Sequence, residues 1–399
     1  MSAGRIRGWT AVLGAATAGI AVACATTDAP NEDEPTPSET ISTPDAGDAA
    51  DADNDAECTE ARGCVTTSDC SKVDFCPVQF PVSRLVALNA VWGTGPNDVW
   101  AVGTRGTILH GDGKDFVVVP SGTSDVLFSV WGTAKDDVWV LGGTAPMHSD
   151  GLHAGTTRFV PVRGASWNAP QATSGRIWSG YSDSNGRVWI AGEPSRRFGV
   201  SSSLWYLDDD ATTNDAGDAS KALWARVDLC SASDPCTPKL RRIWGTGSRI
   251  WAVGAAGQIL HTDDAQNGDA VLFSEQDSAT RNDLEGLWGS GPDDVWAVGA
   301  GGTIRHSTGT ASAWSAVPSP TTANLRAVWG SGPSDVWAVG NDGTVLHFDG
   351  QAWSLATIGL PPGDSPTHLF GIWGSGPDDV WIVGEGIILH RTAASRRHS

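Results

Sequence analysis

The sequence predicts an all-β protein whose body is a seven-bladed β-propeller of four-stranded blades. The main observation is a recurring phrase, of which Val91–Gly103 is the first copy, and most copies start about 40 residues apart, the period of a propeller blade. The composition agrees, because 49 Gly and 20 Trp favour short strands and tight turns. The leading tryptophans of the seven copies are Trp92, Trp131, Trp178, Trp244, Trp288, Trp329 and Trp373.

Each copy divides into four strands, A to D. In the first copy strand A is 88–92, strand B is 99–102, strand C is 107–110 and strand D is 116–119, with Gly, Pro and Asp in the turns between them. The two tryptophans of each copy recur at the same places, which favours packing between twisted blades over a row of sugar-stacking sites. An aromatic residue opens strand D in six copies: Phe116, Phe159, Trp224, Phe273, Trp314 and Trp353.

The last copy lacks its strand D, and the missing strand is predicted at the other end of the chain. The segment Phe80-Pro-Val-Ser83 precedes the first strand A and has the composition of a strand D. We expect this N-terminal strand to complete the last blade, because closing the ring in this way removes an unpaired edge.

A histidine ends strand C in six copies, and an aspartate opens strand B in five. The pattern predicts a buried Asp–His hydrogen bond that links strands B and C within a blade, because separated blades cannot bring their histidines to one metal. The third copy has Tyr206 in place of the histidine, and Arg187 and Arg249 replace two aspartates. The histidines are His110, His148, His261, His306, His347 and His390, and the aspartates are Asp98, Asp137, Asp294, Asp335 and Asp379.

The N-terminus has the features of an export signal. Residues 1–23 combine Arg5 and Arg7 with a short apolar run. The run ends in Ala-Val-Ala-Cys24, which resembles a bacterial lipobox and implies that Cys24 is acylated; ordinary cleavage near Ala23 is the alternative. Residues 24–57 are predicted to be a disordered acidic linker, with 11 Asp or Glu and no Lys or Arg between Ala25 and Glu57.

Six cysteines remain after Cys24, an even number that suits an exported chain with disulfides. Within the Cys-rich segment 58–77, four cysteines recur every six residues and allow three pairings. Zinc is the alternative for these four, but the spacing is wider than in zinc knuckles. A further pair at the same interval closes a small loop. The disulfide candidates are Cys58, Cys64, Cys70, Cys76, Cys230 and Cys236.

The propeller itself is assigned to residues 78–391, and residues 392–399 to a disordered tail. The net charge of −20 disfavours a nucleic-acid partner. No metal ligand set, cofactor motif or catalytic constellation emerges, and a glycosidase would need two positioned carboxylates that the sequence does not reveal. We therefore expect neither enzyme activity nor a cofactor.

Two segments carry a family resemblance. His110–Phe116 and His347–Trp353 resemble the Asp-box of BNR-type propellers, and the phrase Trp-Gly-Ser-Gly-Pro-Asp-Asp-Val-Trp-Ala-Val-Gly resembles the repeat of secreted, Trp-rich bacterial propeller lipoproteins. The resemblance implies a lipoprotein of the cell envelope whose Asp-boxes are folding elements. Ala25 is not an acidic retention residue, so the outer membrane or cell surface is the preferred location.

The residues that open strand A are expected to ring the mouth of the central channel, where propellers bind ligands. They are Asn89, Phe128, Arg176, Arg241, Arg242, Glu285, Arg326 and Phe370. The predicted ligand residues are Arg241, Glu285 and Arg326 in neighbouring blades, with Arg105 in another loop of that face. The third copy carries insertions at 193–202, 209–221 and 228–239.

The predicted function is a binding or scaffold module without enzyme activity, whose partner is an envelope protein. A lectin-like propeller that binds glycans is the alternative, and a glycosidase or lyase is a weaker one. The membrane is the second partner, through the N-terminal lipid.

Overall fold

The computed structural model describes residues 70–142, 145–151, 157–162, 176–193, 203–207, 224–227, 229, 238–266, 271–309, 313–360 and 367–393. The predicted signal segment, Cys24, the linker, Cys58, Cys64, Cys230 and Cys236 lie outside these residues, as do most of the three insertions and of the C-terminal tail. The described strands form seven four-stranded antiparallel sheets, which confirms the predicted seven-bladed propeller.

Blades 1 to 6 are simple meanders in which consecutive strands pair. Blade 1 contains β2 (Leu88–Gly95), β3 (Asp98–Gly103), β4 (Ile108–Gly111) and β5 (Phe116–Val119). Blade 2 contains β6 (Leu127–Ala134), β7 (Asp137–Gly142), β8 (Pro146–Ser149) and β9 (Val160–Pro161). Blade 3 contains β10 (Ile177–Ser182), β11 (Val188–Gly192), β12 (Leu204–Leu207) and β13 (Trp224–Arg226).

The remaining blades follow the same plan. Blade 4 contains β14 (Leu240–Thr246), β15 (Arg249–Gly254), β16 (Ile259–Thr262) and β17 (Ser274–Gln276). Blade 5 contains β18 (Leu284–Gly291), β19 (Asp294–Gly299), β20 (Ile304–Ser307) and β21 (Ser315–Ala316). Blade 6 contains β22 (Leu325–Gly332), β23 (Asp335–Gly340), β24 (Val345–Phe348) and β25 (Trp353–Leu355). Blade 7 contains β26 (Leu369–Gly376), β27 (Asp379–Gly384), β28 (Ile387–Thr392) and, from the N-terminal side, β1 (Cys76–Pro77).

The first strand of every blade is innermost, and these strands contact one another in order around the ring, with β26 against β2. Buried apolar clusters fill the spaces between blades, and the strand-B tryptophans are among the largest fully buried side chains. The leading tryptophan of one blade packs on a glycine of the next. A Cβ atom added to Gly330 would lie 2.6 Å from Cη2 of Trp288, so only glycine allows this contact. The predicted packing role of the paired tryptophans is confirmed in six blades and is wrong for Trp178, because Tyr181 makes the contact with Gly245 in blade 3.

An N-terminal strand closes the ring as predicted, but it lies upstream of the predicted segment. β1 pairs with β28, with Cys76 opposite His390, whereas Phe80–Ser83 forms no strand. The position of β1 along β28 is fixed by the residue just before it. Phe75 is fully buried against Trp337, with 5.1 Å between the ring centroids. Phe80 and Val82 instead pack on the cluster between blades 7 and 1.

Polar contacts of Asp74 also attach the segment before β1 to blades 6 and 7. One carboxylate oxygen of Asp74 accepts a hydrogen bond from Nη1 of Arg391 at 2.9 Å, and the other accepts from Thr357. A disulfide joins Cys70 to Cys76. That pairing excludes the two arrangements in which Cys70 or Cys76 has another partner among the four clustered cysteines.

The predicted Asp–His bonds are confirmed and belong to a larger polar group. In blades 1, 2, 5, 6 and 7 one carboxylate oxygen of the aspartate lies 2.6–2.8 Å from Nε2 of the histidine. The same oxygen accepts from the strand-B indole at 2.9–3.1 Å, and the other accepts from a Ser or Thr hydroxyl of the A–B turn. The histidine ring also lies against the indole, with centroids 3.6–4.4 Å apart. Each group therefore fixes the register of three neighbouring chain segments.

Blades 3 and 4 lack this aspartate, so the indole of strand B needs another acceptor. In blade 3 the indole of Trp189 donates to Asp183 at 3.3 Å, and the guanidinium of Arg187 lies 4.8 Å from the Tyr206 ring. In blade 4, Nε1 of Trp251 is buried and donates to no acceptor within the described part of the chain. The missing carboxylate therefore leaves an unpaired donor in blade 4.

Candidate functional site

A β-bulge recurs at the start of all seven innermost strands. The register between strands A and B shifts between the first and third residues of strand A in every blade, so the second residue is left without a partner. Such a bulge redirects one side chain. The seven residues at this bulge position are Asn89, Phe128, Trp178, Arg241, Glu285, Arg326 and Phe370.

These seven side chains and Arg242 line one cavity of about 340 Å³ at the end of the channel where the innermost strands begin. We call it the mouth cavity. Because the bulge recurs with the repeat, each blade contributes one side chain, and the closed ring brings all seven together. The site is therefore a product of the repeat and not of a single loop.

The bulge position differs from its neighbours in how much it varies. The residue before it is Leu in six blades and Ile in one, and the residue after it is Ala, Ser or Gly in six blades. At the bulge position itself the seven blades carry Asn, Phe, Trp, Arg, Glu, Arg and Phe in order. The fold thus constrains both flanking positions, because they pack in the core, but leaves the bulge position free to carry a function.

Around the ring the side chains divide the mouth cavity into two halves. Blades 7, 1, 2 and 3 contribute Phe370, Asn89, Phe128 and Trp178, and blades 4, 5 and 6 contribute Arg241, Glu285 and Arg326. The rings of Phe128 and Trp178 meet edge to face, with centroids 4.9 Å apart. One half is therefore mainly aromatic, and the other is charged.

Neighbouring side chains orient the arginines of the charged half. Nη1 of Arg241 forms a 2.8 Å ion pair with Glu193, and its guanidinium lies 4.8 Å from the Trp178 ring, where a cation–π attraction adds to the contact. Nε of Arg326 donates to Oδ1 of Asn341 at 3.0 Å. Both guanidinium groups are thus held in place before any ligand arrives.

Arg242 is an exception to the pattern of small residues after the bulge. Its half-buried side chain also lines a second cavity of about 160 Å³, which continues into the channel below the mouth. Burial lowers the pKa of its guanidinium, and the negative charge of Glu285 opposes that shift. Because an arginine does not lose its proton in proteins, Arg242 places a positive charge at the floor of the mouth cavity.

Two buried donors in the wall of the mouth cavity are unsatisfied. Within the described residues, neither Nε1 of Trp178 nor Nε of Arg241 donates to an acceptor. Buried N–H groups are rarely left without an acceptor, because the lost hydrogen bond costs ~1–3 kcal/mol. Both atoms lie out of contact with solvent, so this cost falls on the stability of the fold.

The structure brings three of the four predicted ligand residues together. Arg241, Glu285 and Arg326 all line the mouth cavity. Arg105 does not; it lies in the turn Thr104–Gly106, with φ of 58°. Arg176 is also absent from the lining and lies 5.5 Å from the Trp178 ring.

The repeat phrase aligns Trp178 with the leading tryptophans of the other copies, and that alignment is wrong. Tyr181 holds that place instead: it pairs with Trp189 as Trp92 pairs with Trp100, and it packs on Gly245 of the next blade. Aligning the copies on the aliphatic residue that opens strand A, which is Ile177 here, would have identified Trp178.

The fold and site together define a β-propeller with a half-aromatic, half-charged cavity at one end of its channel. No protein-family model matches the chain, and no curated protein matches it. Among solved structures, the chain is similar to YCF48 from Cyanidioschyzon merolae, with 14% identity and a TM-score of 0.58 over 80% of this chain and 98% of that chain.

Two further solved structures share this fold. YCF48 bound to D1 peptide is 18% identical, with a TM-score of 0.55 over 80% of this chain and 97% of that one. The extracellular domain of a putative hybrid two-component system from B. thetaiotaomicron is 10% identical, with a TM-score of 0.56 over 80% of this chain and 39% of that one. At these identities the likeness is one of fold.

Within the described ranges, no helix has the length and apolar character needed to cross a lipid bilayer.

Proposed function

We propose that this propeller is a binding module without enzyme activity, held at the cell envelope, and that a protein partner contacts it at the mouth cavity. The observation that carries the proposal is the ring of bulge positions. Within strand A the residue before the bulge is Leu or Ile in every blade, whereas the bulge position, whose seven copies line one cavity, carries Asn, Phe, Trp, Arg or Glu. Varied side chains that converge on one cavity from constant strand positions are what ligand recognition requires of a repeated scaffold.

The solved structures of similar fold support a protein partner. One of them, YCF48, is bound to a peptide, and another is the extracellular domain of a two-component system. The first is a propeller of this fold with a bound peptide, which is the kind of ligand we propose here.

The chemistry of the cavity favours binding over catalysis. Glu285 is the only carboxylate among the described residues that line the mouth cavity. Glycoside hydrolysis by the usual route needs two carboxylates across the scissile bond. Arginines and aromatic rings are, by contrast, the side chains that dominate protein-binding surfaces.

The test is selection from a phage-displayed peptide library with free carboxyl termini on the purified chain expressed without its first 24 residues. We expect enriched peptides that bind the parent and fail to bind a variant with Arg326→Asn and Trp178→Asn. Asn is a safe substitute because it already occupies the bulge position in blade 1. Arg105→Ala is the matched control, since Arg105 lies outside the cavity and Ala256 adopts the same backbone conformation in blade 4. Enrichment that ignores the double variant would refute the proposed site.

Glycan binding is the second candidate, and Trp178 is the observation that favours it, because an aromatic side chain in a cavity wall can contact a sugar ring. A glycan array probed with the parent and with the Arg241→Ala/Arg326→Ala variant separates the two candidates. Binding to a glycan that the double variant loses would support the lectin function and displace the protein partner.

We further propose that Cys24 is acylated and anchors the protein to the envelope, at the outer membrane or cell surface. The signal-like segment 1–23 and the acidic linker support this arrangement. Cells fed an alkyne-tagged fatty acid should label the parent and fail to label Cys24→Ala. Equal labelling of both would refute the anchor.

A further inference from the structure

We infer that the mouth cavity binds the carboxyl-terminal residue of a peptide, with the terminal carboxylate at Arg242 and Arg326 and the last side chain against Phe128, Trp178 and Phe370. The inference rests on the proposed protein-binding function and specifies the part of the partner that enters the cavity.

Charge is the first argument. The mouth cavity gathers three arginines, and Glu285 with the Glu193 partner of Arg241 supplies two negative charges, so its net charge is positive in a chain of net charge −20. Since Glu193 pairs with Arg241, the positive charge that a ligand meets is mainly that of Arg242 and Arg326. An anionic group is therefore attracted to this cavity and repelled by the rest of the protein.

The geometry of the arginines favours a carboxylate. Arg326 donates from Nε to Asn341, so its two Nη groups are the donors that remain for a ligand among the described contacts. Arg242 approaches from the floor, where Nε lies 3.4 Å from the backbone oxygen of Glu285. A guanidinium presents parallel N–H groups that match the two oxygens of a carboxylate, and the bond is strengthened in a partly buried site.

The other groups of a terminal residue also find complementary partners. Glu285 lies between Arg241 and Arg326 in the ring order, and its carboxylate can accept the amide N–H of the last residue. The aromatic half buries the side chain, which contributes roughly 25 cal/mol for each Å² of apolar surface removed from water.

The shape of the cavity selects a chain end. Its volume of about 340 Å³ is near the lower end of the ~300–1,000 Å³ typical of ligand cavities. Arg242 fills the floor, where other blades have Ala, Ser or Gly, so a ligand enters from the mouth. An internal segment would have to enter and leave through that same opening, whereas a terminus has only to enter.

The experiment uses two pools of fluorescein-labelled hexapeptides, randomised at the last three positions and made as C-terminal acids or as C-terminal amides. Fluorescence polarisation with the purified chain should give an affinity at least tenfold higher for the acid pool. Preferred members should end in an aromatic or large aliphatic residue. Glucuronate, a carboxylate on a sugar, serves as the competitor that represents a glycan source.

Substituting residues that other blades carry at the same position tests whether Arg242 and Arg326 bind the carboxylate. Arg242→Ala uses the residue found at Ala90 and Ala327, and Arg326→Asn uses the residue found at Asn89, so both suit the backbone. Each should reduce the acid pool to the affinity of the amide pool, whereas Arg105→Ala should leave the tenfold ratio unchanged. Circular dichroism melting curves establish that the variants are folded.

The outcomes separate the inference from the function on which it rests. Equal binding of acid and amide pools, with loss in the Trp178→Asn variant, would overturn the terminal carboxylate but retain a peptide-binding cavity. Failure of both pools together with binding of glucuronate that depends on Arg326 would overturn both. Binding of the acid pool that Arg242→Ala and Arg326→Asn do not affect would overturn the assigned residues.

Discussion

Removing the aspartate of one polar group tests the account of how the blades are held in register. Asp335 in blade 6 accepts from Nε1 of Trp337 at 3.0 Å, from Nε2 of His347 at 2.8 Å and from the hydroxyl of Ser331. Asp335→Ala leaves all three donors without this acceptor. The loss in free energy of unfolding depends on which of these donors can form a hydrogen bond to water instead.

The indole of Trp337 is 1% exposed and cannot reach water, so its unpaired N–H costs ~1–3 kcal/mol. The His347 side chain is 29% exposed and recovers part of its loss through hydration, which adds ~1 kcal/mol. Ser331 is exposed and adds little. We therefore expect Asp335→Ala to lower the free energy of unfolding by about 3 kcal/mol.

Urea unfolding followed by tryptophan fluorescence and by circular dichroism measures this change, and coincident curves establish that one transition is being observed. Ser331→Ala is the matched control, because it removes a donor to the same carboxylate at an exposed position and should cost less than 1 kcal/mol. An Asp335→Ala variant no less stable than Ser331→Ala would show that the group does not stabilise the blade.

Three further predictions concern stability. Burial raises the pKa of Asp137, but hydrogen bonds from His148 and Thr133 more than offset this and bring the pKa to about 2. Because the folded-state pKa lies below the unfolded value, this carboxylate stabilises the protein above about pH 4 and loses that contribution as the pH falls towards 2. The free energy of unfolding, measured in urea across this range, should fall by about 1–2 kcal/mol more in the parent than in Asp137→Asn. In blade 4, Arg249 forms ion pairs with Asp263 and Asp293, so its replacement is made in an Asp263→Asn/Asp293→Asn background. Relative to that background, Arg249→Asp should stabilise the protein by about 1 kcal/mol in urea unfolding, because it supplies the acceptor that Trp251 lacks; no gain would show that the unpaired indole carries no cost. Replacing Cys70 and Cys76 by Ser should cost about 2 kcal/mol, and non-reducing peptide mapping should find these two cysteines joined in the parent; a different partner for either would contradict the observed disulfide.

The architecture could be predicted because the period of the repeat matches the length of one four-stranded blade. Each blade needs the same buried residues at the same strand positions, so the tryptophans, turn glycines and Asp–His pairs recur visibly along the chain. The closing strand was harder to locate. Its pairing partners are over 300 residues away, and the contacts that set its register, from Phe75 and Asp74 to blades 6 and 7, leave no local pattern.

The candidate site, too, could be predicted only in part from the sequence. The sequence by itself determined that one residue near the start of each strand A faces the channel mouth, because the repeat places it there seven times, and Arg241, Glu285 and Arg326 followed from that. Only the tertiary structure decided that the position is a β-bulge, that Trp178 and not the expected Arg176 lines the cavity in blade 3, and that Arg105 lies outside the cavity. The physical reason is that strand register is set by pairing with strand B, and in a diverged copy that pairing overrides the apparent alignment of tryptophans.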